Sequence, residues 1–372
     1  MNNSDLNPAS AIPSLRRRVL GRSGLEVSEI GVGGWAIGGP DWNLGLEMGW
    51  GEIDDAEVLR AIDYAVECGA NHFDTADVYG HGRSERLFGR ALGARSRDSY
   101  TLASKVGYFA GTAEHPYHPR NIRNQLETSL TNLQTDYLDI YYMHNFAFGP
   151  DERYRDAAIA EFETLKREGK IRCIGMRGPH RHARDRVDPV PSGGANKYDV
   201  FREIADILQP DVIQLRFNIL AASAGEERTD ILRWAEARGV GVVINKPLAQ
   251  GLLLGKYDPR NPPVFDEGDH RARKRWFRPE ALAAIDRRIE KLRRRFGAAP
   301  TELARVALQY CLAVAPQACV VVGFRTRAQL VETLAATGRP LDAEDIAFVE
   351  DAMGGVTDEI GSYFTRPLAP VA

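Results

Sequence analysis

Four polar side chains, Asp74, Tyr79, Lys105 and His144, have the residue types that proton delivery to a carbonyl group requires. They stand in three successive runs of the sequence, and each run passes from apolar or β-branched residues into a polar end that bears Gly or Asn. That change is typical of a strand that runs into a loop. The four side chains are therefore predicted at the ends of three successive strands.

The chemistry depends on a tyrosine that gives up its proton at neutral pH. A free tyrosine has a pKa of about 10 and donates slowly, so an enzyme that uses one has to stabilise the phenolate. Lys105 is the candidate cation, and Asp74 would hold its ammonium group in place and keep it charged. His144 would hydrogen-bond the carbonyl oxygen and orient it beside Tyr79. Taken singly, each residue also has an ordinary structural interpretation, as a turn residue, a packed ring, a surface charge or a core histidine.

Composition limits the class of protein. The chain has 372 residues, of which 44% are hydrophobic, and this suffices for a large buried core. A formal net charge of −3 gives no overall attraction to nucleic acid or to an anionic membrane, so neither is expected as a partner. No segment approaches the roughly 18 uninterrupted apolar residues of a membrane span, and the N-terminus lacks an apolar signal region. The cytoplasm is the expected location.

Metal and disulfide chemistry are not expected. The four cysteines, Cys68, Cys173, Cys311 and Cys319, are far apart and form no CxxC pair. Without clustered histidines nearby, this spacing argues against a zinc site and against a disulfide framework. We interpret all four as reduced packing residues.

Short apolar runs alternate with helical patterns along most of the chain. Eight such runs are mostly about 30 to 40 residues apart, which matches the repeat of an α/β fold of the (β/α)8 TIM barrel type, with a doubly wound sheet as the alternative. A single domain over residues 15–365 is predicted, with flexible ends at 1–14 and 366–372. The runs lie near residues 29–36, 71–77, 101–106, 138–144, 171–176, 212–217, 240–246 and 318–323.

Local signals outside these runs agree with a barrel. Asp54 can begin a helix as its N-cap, with Glu57 three residues later to close a capping box. The stretch RRVLGRSGLEV predicts a hairpin with its turn from Gly21 to Gly24, which would cap the barrel floor. Three segments are longer than the repeat requires, and we expect them to be βα loops that shape the substrate pocket. They are residues 37–53, 182–197 and 250–299.

Several motifs carry a resemblance to a known family. The segments FDTADVYGHGRSERLFGRAL, LASKVG and YLDIYYMH resemble the catalytic motifs of the aldo-keto reductases, and the similarity extends from about residue 17 to residue 353. The resemblance implies a (β/α)8 barrel that binds NAD(P)H and moves hydride to a carbonyl. It also implies that Tyr79 is the general acid and that the other three candidates act as argued above.

The resemblance further implies a cofactor site. Gln214 matches the family's contact to the nicotinamide carboxamide, and PLAQG (247–251) with Lys256 matches the loop along the pyrophosphate. Arg325 lies in the segment that matches the adenosine end, where an Arg can bind a 2′-phosphate, so NADPH is favoured and NADH is the alternative. The predicted cofactor set is Trp35, Asp74, Arg177, Gln214, Asn245, Lys246, Pro247, Leu248, Gln250, Gly251, Lys256, Gly323, Arg325, Gln329, Glu332 and Thr333.

The chain departs from the family pattern at three places. Arg177-Gly178 replaces the usual Ser-Asn after the fifth strand, and Asn245-Lys246 stands where the family usually stacks an aromatic ring on the nicotinamide. Thr333 replaces the Asn that commonly contacts adenine. The Arg and the Lys would either bind a phosphate or carboxylate, or point at the cofactor's own phosphates or at acidic partners.

Aromatic residues in the loops indicate the class of substrate. Aromatic faces beside scattered polar groups suit a sugar or another polar carbonyl compound. The residues predicted to contact the substrate are Trp35, Trp42, Trp50, Tyr79 and His144, with the C-terminal Tyr363 and Phe364 expected nearby. Reduction of such a small-molecule aldehyde or ketone is the leading function. The alternatives are an NAD(P)-dependent sugar dehydrogenase and a cofactor-binding auxiliary subunit with little turnover.

Overall fold

Eight parallel strands close into a barrel in the computed structural model of the protein. Each strand pairs with the next along the chain, and Gly323 in the last pairs with Gly33 in the first. The strands are β1 (Ile30–Gly33), β2 (His72–Asp74), β3 (Thr101–Val106), β4 (Leu138–Met143), β5 (Ile171–Arg177), β6 (Val212–Arg216), β7 (Gly241–Asn245) and β8 (Cys319–Gly323). The structure describes residues 14–43, 45–178, 197–221 and 226–363. The predicted (β/α)8 barrel is confirmed, and the doubly wound alternative is wrong because this sheet has no edges.

Helices connect the strands, and their apolar faces join the main core. On the first helix, Val58, Ile62 and Ala65 recur at helical spacing and are buried. The helices are α1 (Asp55–Glu67), α2 (Arg83–Leu92), α3 (Pro119–Leu133), α4 (Arg155–Arg167), α5 (Lys197–Leu208), α6 (Glu226–Ala237), α7 (Pro279–Phe296), α8 (Pro300–Val314), α9 (Arg327–Ala335), α10 (Ala343–Met353) and α11 (Val356–Tyr363). Within the described ranges, none of them has the length and apolar character needed to cross a membrane.

The start of α1 agrees only in part with its sequence signal. Asp54 is the N-cap, since its Oδ1 accepts hydrogen bonds from the backbone N of Ala56 at 2.8 Å and of Glu57 at 3.3 Å. The predicted capping box is wrong. The Glu57 carboxylate accepts instead from the Arg60 guanidinium and from the backbone N of Arg327, so it links α1 to the first turn of α9.

The predicted hairpin is present and covers one end of the barrel. Its strands, Arg17–Val19 and Glu26–Ser28, pair antiparallel, and Leu20 and Leu25 pack among the inward-facing side chains of the barrel strands. Gly21 has φ of 49°, and a Cβ there would meet the backbone around Gly239, which precedes β7. The hairpin therefore closes the barrel at the amino ends of its strands and leaves the carboxyl ends for a site.

Two of the long loops contact each other. The backbone N of His270 donates to the carbonyl oxygen of Gly49 at 3.0 Å, and the backbone N of Gly49 donates to that of Gly268 at 3.1 Å. The first loop contains a small hairpin of Trp42–Asn43 with Leu46–Glu47, and the second contains the 3-10 helix Ala249–Leu254. The third predicted loop, 182–197, lies outside the described residues except for its last position. The same holds for the ends 1–14 and 366–372 apart from residue 14.

The four cysteines are all buried and none forms a disulfide. Among the described residues, no group of three or more His, Cys, Asp or Glu side chains could hold a metal ion.

Candidate active site

The parallel barrel brings the four chemical side chains together. Asp74 is the last residue of β2, Lys105 lies near the end of the neighbouring β3, and His144 directly follows β4. Lys105 Nζ donates to Asp74 Oδ1 at 2.8 Å and also to the carbonyl oxygen of Thr75. Both side chains are buried, so the ammonium group is fixed by an ion pair out of contact with bulk water.

A tight turn after β2 holds Tyr79 over this ion pair. The centre of its ring lies 5.0 Å from Lys105 Nζ and 5.9 Å from the centre of the His144 ring. The turn requires glycine at position 80, where φ is 60° and an added Cβ would collide with the carbonyl oxygen of Gly38. The structure thus places all four predicted residues in one cluster.

Burial controls the protonation of this cluster. It raises the pKa of the Tyr79 phenol above its ordinary value, and the guanidinium of Arg177 is the largest influence in the opposite direction. Burial also lowers the pKa of Lys105, whereas the carboxylate of Asp74 raises it. Tyr79 is therefore protonated at neutral pH, which is the state that a general acid needs.

Two amide side chains extend the ion pair across the barrel. Gln214 in the middle of β6 is buried and donates from Nε2 to Asp74 Oδ2 at 2.7 Å. Asn245, the last residue of β7, donates from Nδ2 to Gln214 Oε1 at 3.0 Å. Lys105, Asp74, Gln214 and Asn245 form one continuous network, which we call the amide chain. A buried ion pair is stable when its remaining lone pairs are satisfied in this way.

A cavity of about 400 Å³ opens beside the cluster. Every residue of the predicted cofactor set lines it, together with Tyr79 and Trp50. Lys105 and His144 are not among its lining residues, because they lie buried next to Tyr79. Residues separated by more than two hundred positions in the chain therefore converge on one cleft at the carboxyl ends of the strands, where barrel enzymes bind their ligands.

One end of the cavity is strongly basic. Lys256, Arg271 and Arg325 line it, and the pKa of Lys256 is lowered by burial first and by the positive charges of the two arginines next. The carboxylate of Glu332 raises the pKa of Lys256. Cations that repel one another in this way are stabilised when a phosphate binds between them, so this end suits a phosphorylated ligand.

Another part of the cavity wall is aromatic. The Trp35 ring stacks on Tyr79 with ring centres 6.1 Å apart, and Trp50 meets Trp35 edge to face at 5.7 Å. Lys246 Nζ lies 4.5 Å from the centre of the Trp35 ring. Among the other residues predicted for the substrate, Trp42 is exposed on the small hairpin and is not a lining residue, and Tyr363 is exposed at the end of α11. Phe364 lies outside the described residues.

Two residues of the seventh βα loop lie where the aromatic and basic parts of the cavity wall meet, and neither was predicted from the sequence. The His270 ring lies 4.2 Å from Trp35, and Arg271 lines the cavity while its guanidinium forms an ion pair with Asp269 at 2.6 Å. His270 Nδ1 contacts the carbonyl oxygen of Gly49 at 2.7 Å and must be the donor there. The run Asp269-His270-Arg271 was the signal in the sequence that could have pointed to these residues. Its place in the structure, however, depends on the contact between the first and seventh βα loops.

Comparison with known proteins decides the family. The model of the aldo/keto reductase family matches residues 29–353. The chain belongs to that family. It is an enzyme of the aldo-keto reductase type, and the family uses nicotinamide cofactors and acts on small carbonyl compounds.

Individual relatives extend over almost the whole chain. The chain is 27% identical over 340 residues to L-galactose dehydrogenase of Arabidopsis thaliana, covering 90% of this chain and 92% of that protein. It is 28% identical over 350 residues to the NADH-specific methylglyoxal reductase of Escherichia coli, covering 91% and 98%. The solved holo form of an aldo-keto reductase from Bacillus halodurans is similar with a TM-score of 0.66 and 27% identity, covering 91% of this chain and 96% of that one.

Proposed function

We propose that this enzyme reduces the aldehyde or ketone group of a sugar or another small polar compound with NADPH. The observation that carries the proposal is the position of Tyr79, held beside the buried Lys105–Asp74 ion pair on the wall of the cavity. The residues fit the cofactor, because one cavity is lined both by cations that suit phosphates, Lys256 and Arg325, and by the side-chain amides of Gln214 and Asn245. When bound, the reduced nicotinamide supplies a hydride to the carbonyl carbon.

In this mechanism the protein supplies the proton. The Tyr79 hydroxyl donates its proton to the carbonyl oxygen as the carbon is reduced, so that an alcohol forms and a phenolate remains. The Lys105 ammonium stabilises the phenolate, and Asp74 keeps the ammonium in position. His144 does not line the cavity, but its ring lies next to that of Tyr79, and in this proposal it hydrogen-bonds the carbonyl oxygen that has reached the Tyr79 hydroxyl. Burial excludes water and strengthens each of these interactions.

The substrate proposal rests on the aromatic part of the cavity wall. Trp35 and Trp50 offer flat apolar faces, and Lys246 adds a charged group above Trp35. Such a mixture suits a small ligand with several hydroxyl groups. One relative carries the name of such a compound, L-galactose, and another carries the name of a small polar dicarbonyl compound, methylglyoxal.

The proposal is tested by a panel of aldehydes and ketones, with the loss of reduced nicotinamide absorbance as the signal. We expect turnover with sugar-like and small polar carbonyl compounds. Oxidation of aldoses with NAD or NADP, together with negligible reduction, would favour the dehydrogenase direction that the similarity to L-galactose dehydrogenase suggests. Tight NADPH binding without turnover on the whole panel would favour the auxiliary subunit.

The basic end of the cavity sets the cofactor preference in this proposal. Arg325→Ala should weaken NADPH binding by about tenfold or more and leave NADH binding within about twofold, because a charge-assisted hydrogen bond to the 2′-phosphate is lost. Titration of both cofactors gives the two dissociation constants. Arg327→Ala is the matched control, since that guanidinium lies over the Tyr64 ring outside the cavity. An unchanged preference in Arg325→Ala would remove the phosphate role of Arg325, and a native preference for NADH, as in the relative named NADH-specific, would contradict the choice of NADPH.

Arg177 affects the pKa of the proposed general acid, Tyr79. Its positive charge lowers the pKa of Tyr79, so Arg177→Met should raise that pKa further. Reduction requires the protonated phenol and falls as the pH rises through its pKa, so the alkaline limb of kcat/KM against pH should move to higher pH in this variant. Arg216→Met, at the end of the next strand and not among the lining residues, should leave the limb in place. If the alkaline limb of Arg177→Met stayed at its native pH or moved to lower pH, Arg177 would not lower the pKa of Tyr79.

A further inference from the structure

The amide chain has a direction that its charged end imposes. Lys105 can only donate hydrogen bonds, and the Asp74 carboxylate can only accept them. The atom of Gln214 that faces Asp74 must therefore be Nε2, which turns Oε1 toward Asn245. Asn245 then has to donate from Nδ2 to Gln214, and its Oδ1 is left as the acceptor at the far end of the amide chain.

That acceptor atom has no partner within the described parts of the protein. Asn245 Oδ1 is buried and accepts no hydrogen bond there, although the residue itself lines the cavity. A buried polar atom without a partner costs free energy, and such atoms are uncommon in native structures. Turning the amide over would not help, because it would place Oδ1 against Gln214 Oε1. A ligand that donates a hydrogen bond to Asn245 Oδ1 would complete the amide chain.

The neighbouring atoms narrow the chemistry of that ligand. Gln214 Nε2 has two hydrogens and donates one of them to Asp74, so Gln214 has one further donor, and both Gln214 and Asn245 line the cavity. A planar group with one acceptor and one N–H donor is complementary to such a pair, and a primary carboxamide has this form. Arg177, which also lines the cavity at this end, carries only donors and cannot accept from an amide N–H.

We propose that Asn245 recognises the nicotinamide carboxamide, with Oδ1 accepting from the carboxamide N–H while Gln214 Nε2 donates to the carboxamide oxygen. The inference rests on the proposed use of a nicotinamide cofactor. It makes Asn245 a positioning residue, which couples the orientation of the ring to the Asp74–Lys105 pair through Gln214.

A cofactor analogue isolates this one hydrogen bond. In 3-acetylpyridine adenine dinucleotide phosphate, a methyl group replaces the carboxamide nitrogen and the carbonyl oxygen is kept. Quenching of tryptophan fluorescence reports binding, since Trp35 and Trp50 line the cavity. The native protein should bind NADP about tenfold more tightly than the analogue. Asn245→Ala should weaken NADP binding by about tenfold and analogue binding by less than about twofold, so that the ratio of the two dissociation constants approaches one.

Matched variants keep this test decisive. Asn245→Leu retains the side-chain volume and should give the same ratio as the alanine variant, and a thermal melt checks that both variants fold. Gln329→Ala removes an amide from the opposite end of the cavity and should affect the two dinucleotides alike, leaving the ratio at its native value. A native protein that does not distinguish the two dinucleotides, or an Asn245→Ala variant that keeps the native ratio, would overturn the inference alone. Failure of the native protein to bind either dinucleotide would overturn the proposed function with it.

Discussion

Tyr79→Phe is expected to lower kcat for carbonyl reduction by about 10²- to 10⁴-fold, the range that general acid catalysis supplies. The phenyl ring fills the same space between Trp35 and His144, so the cavity is kept and only the proton donor is lost. The dissociation constant of NADPH should therefore change by less than about twofold. Steady-state kinetics and a cofactor titration on the same preparation provide the two numbers.

A second tyrosine provides the control for that experiment. Tyr137 lies under the Arg97 guanidinium and away from the cavity, so Tyr137→Phe should keep native kcat. If Tyr79→Phe retained native kcat, another group would have to be the acid. If it lost both kcat and cofactor binding, Tyr79 would act mainly by shaping the cavity.

The second large effect concerns the ion pair between Lys105 and Asp74. Lys105→Met should lower the free energy of unfolding by about 3–5 kcal/mol, because it leaves the Asp74 carboxylate buried without its cation. It should also abolish most of the activity, since the Tyr79 phenolate loses its stabilising charge. Denaturant unfolding measures the first effect and kcat measures the second.

A double variant separates stability from catalysis. Lys105→Met combined with Asp74→Asn removes both charges, and we expect it to recover much of the lost unfolding free energy, since a neutral amide can still accept from Gln214. Its activity should remain as low as that of Lys105→Met alone. Recovery of activity in the double variant would contradict the assigned role of the ammonium group.

The cluster of Asp74, Tyr79, Lys105 and His144 was predictable because it depends on strand ends. Neighbouring parallel strands place their carboxyl ends side by side, so a polar residue at the end of β2, β3 or β4 is constrained by fold class alone. The grouping of Asp74 with Lys105 follows from that rule. The convergence of the predicted cofactor set on one cavity could be foreseen for a similar reason, because most of its members lie in or after β5 to β8, with Trp35 after β1 and Asp74 at the end of β2, and the family resemblance supplied their identities.

What the sequence did not reveal depends on the placement of atoms across loops. His270 reaches Trp35 only because the first and seventh loops pair through Gly49, and no local pattern reports such a contact. Glu57 showed a capping signal, but tertiary packing gave its carboxylate the backbone N of Arg327 instead. Asn245 looked like a departure at a stacking position, and its place in the amide chain became visible only with the direction of each hydrogen bond.

In the proposed reaction, a hydride is transferred to the carbonyl carbon and a proton from Tyr79 to the carbonyl oxygen. The most direct test uses NADPH that carries deuterium on the transferred position of C4, with methylglyoxal and glyceraldehyde as probe carbonyl compounds and mass spectrometry of the alcohol product. The native enzyme should give an alcohol with one deuterium bound to the former carbonyl carbon, and Tyr79→Phe should give about 10²- to 10⁴-fold less of it per unit time. An alcohol without deuterium on that carbon would contradict hydride transfer from the cofactor. Equal labelling rates in the two proteins would contradict proton donation by Tyr79.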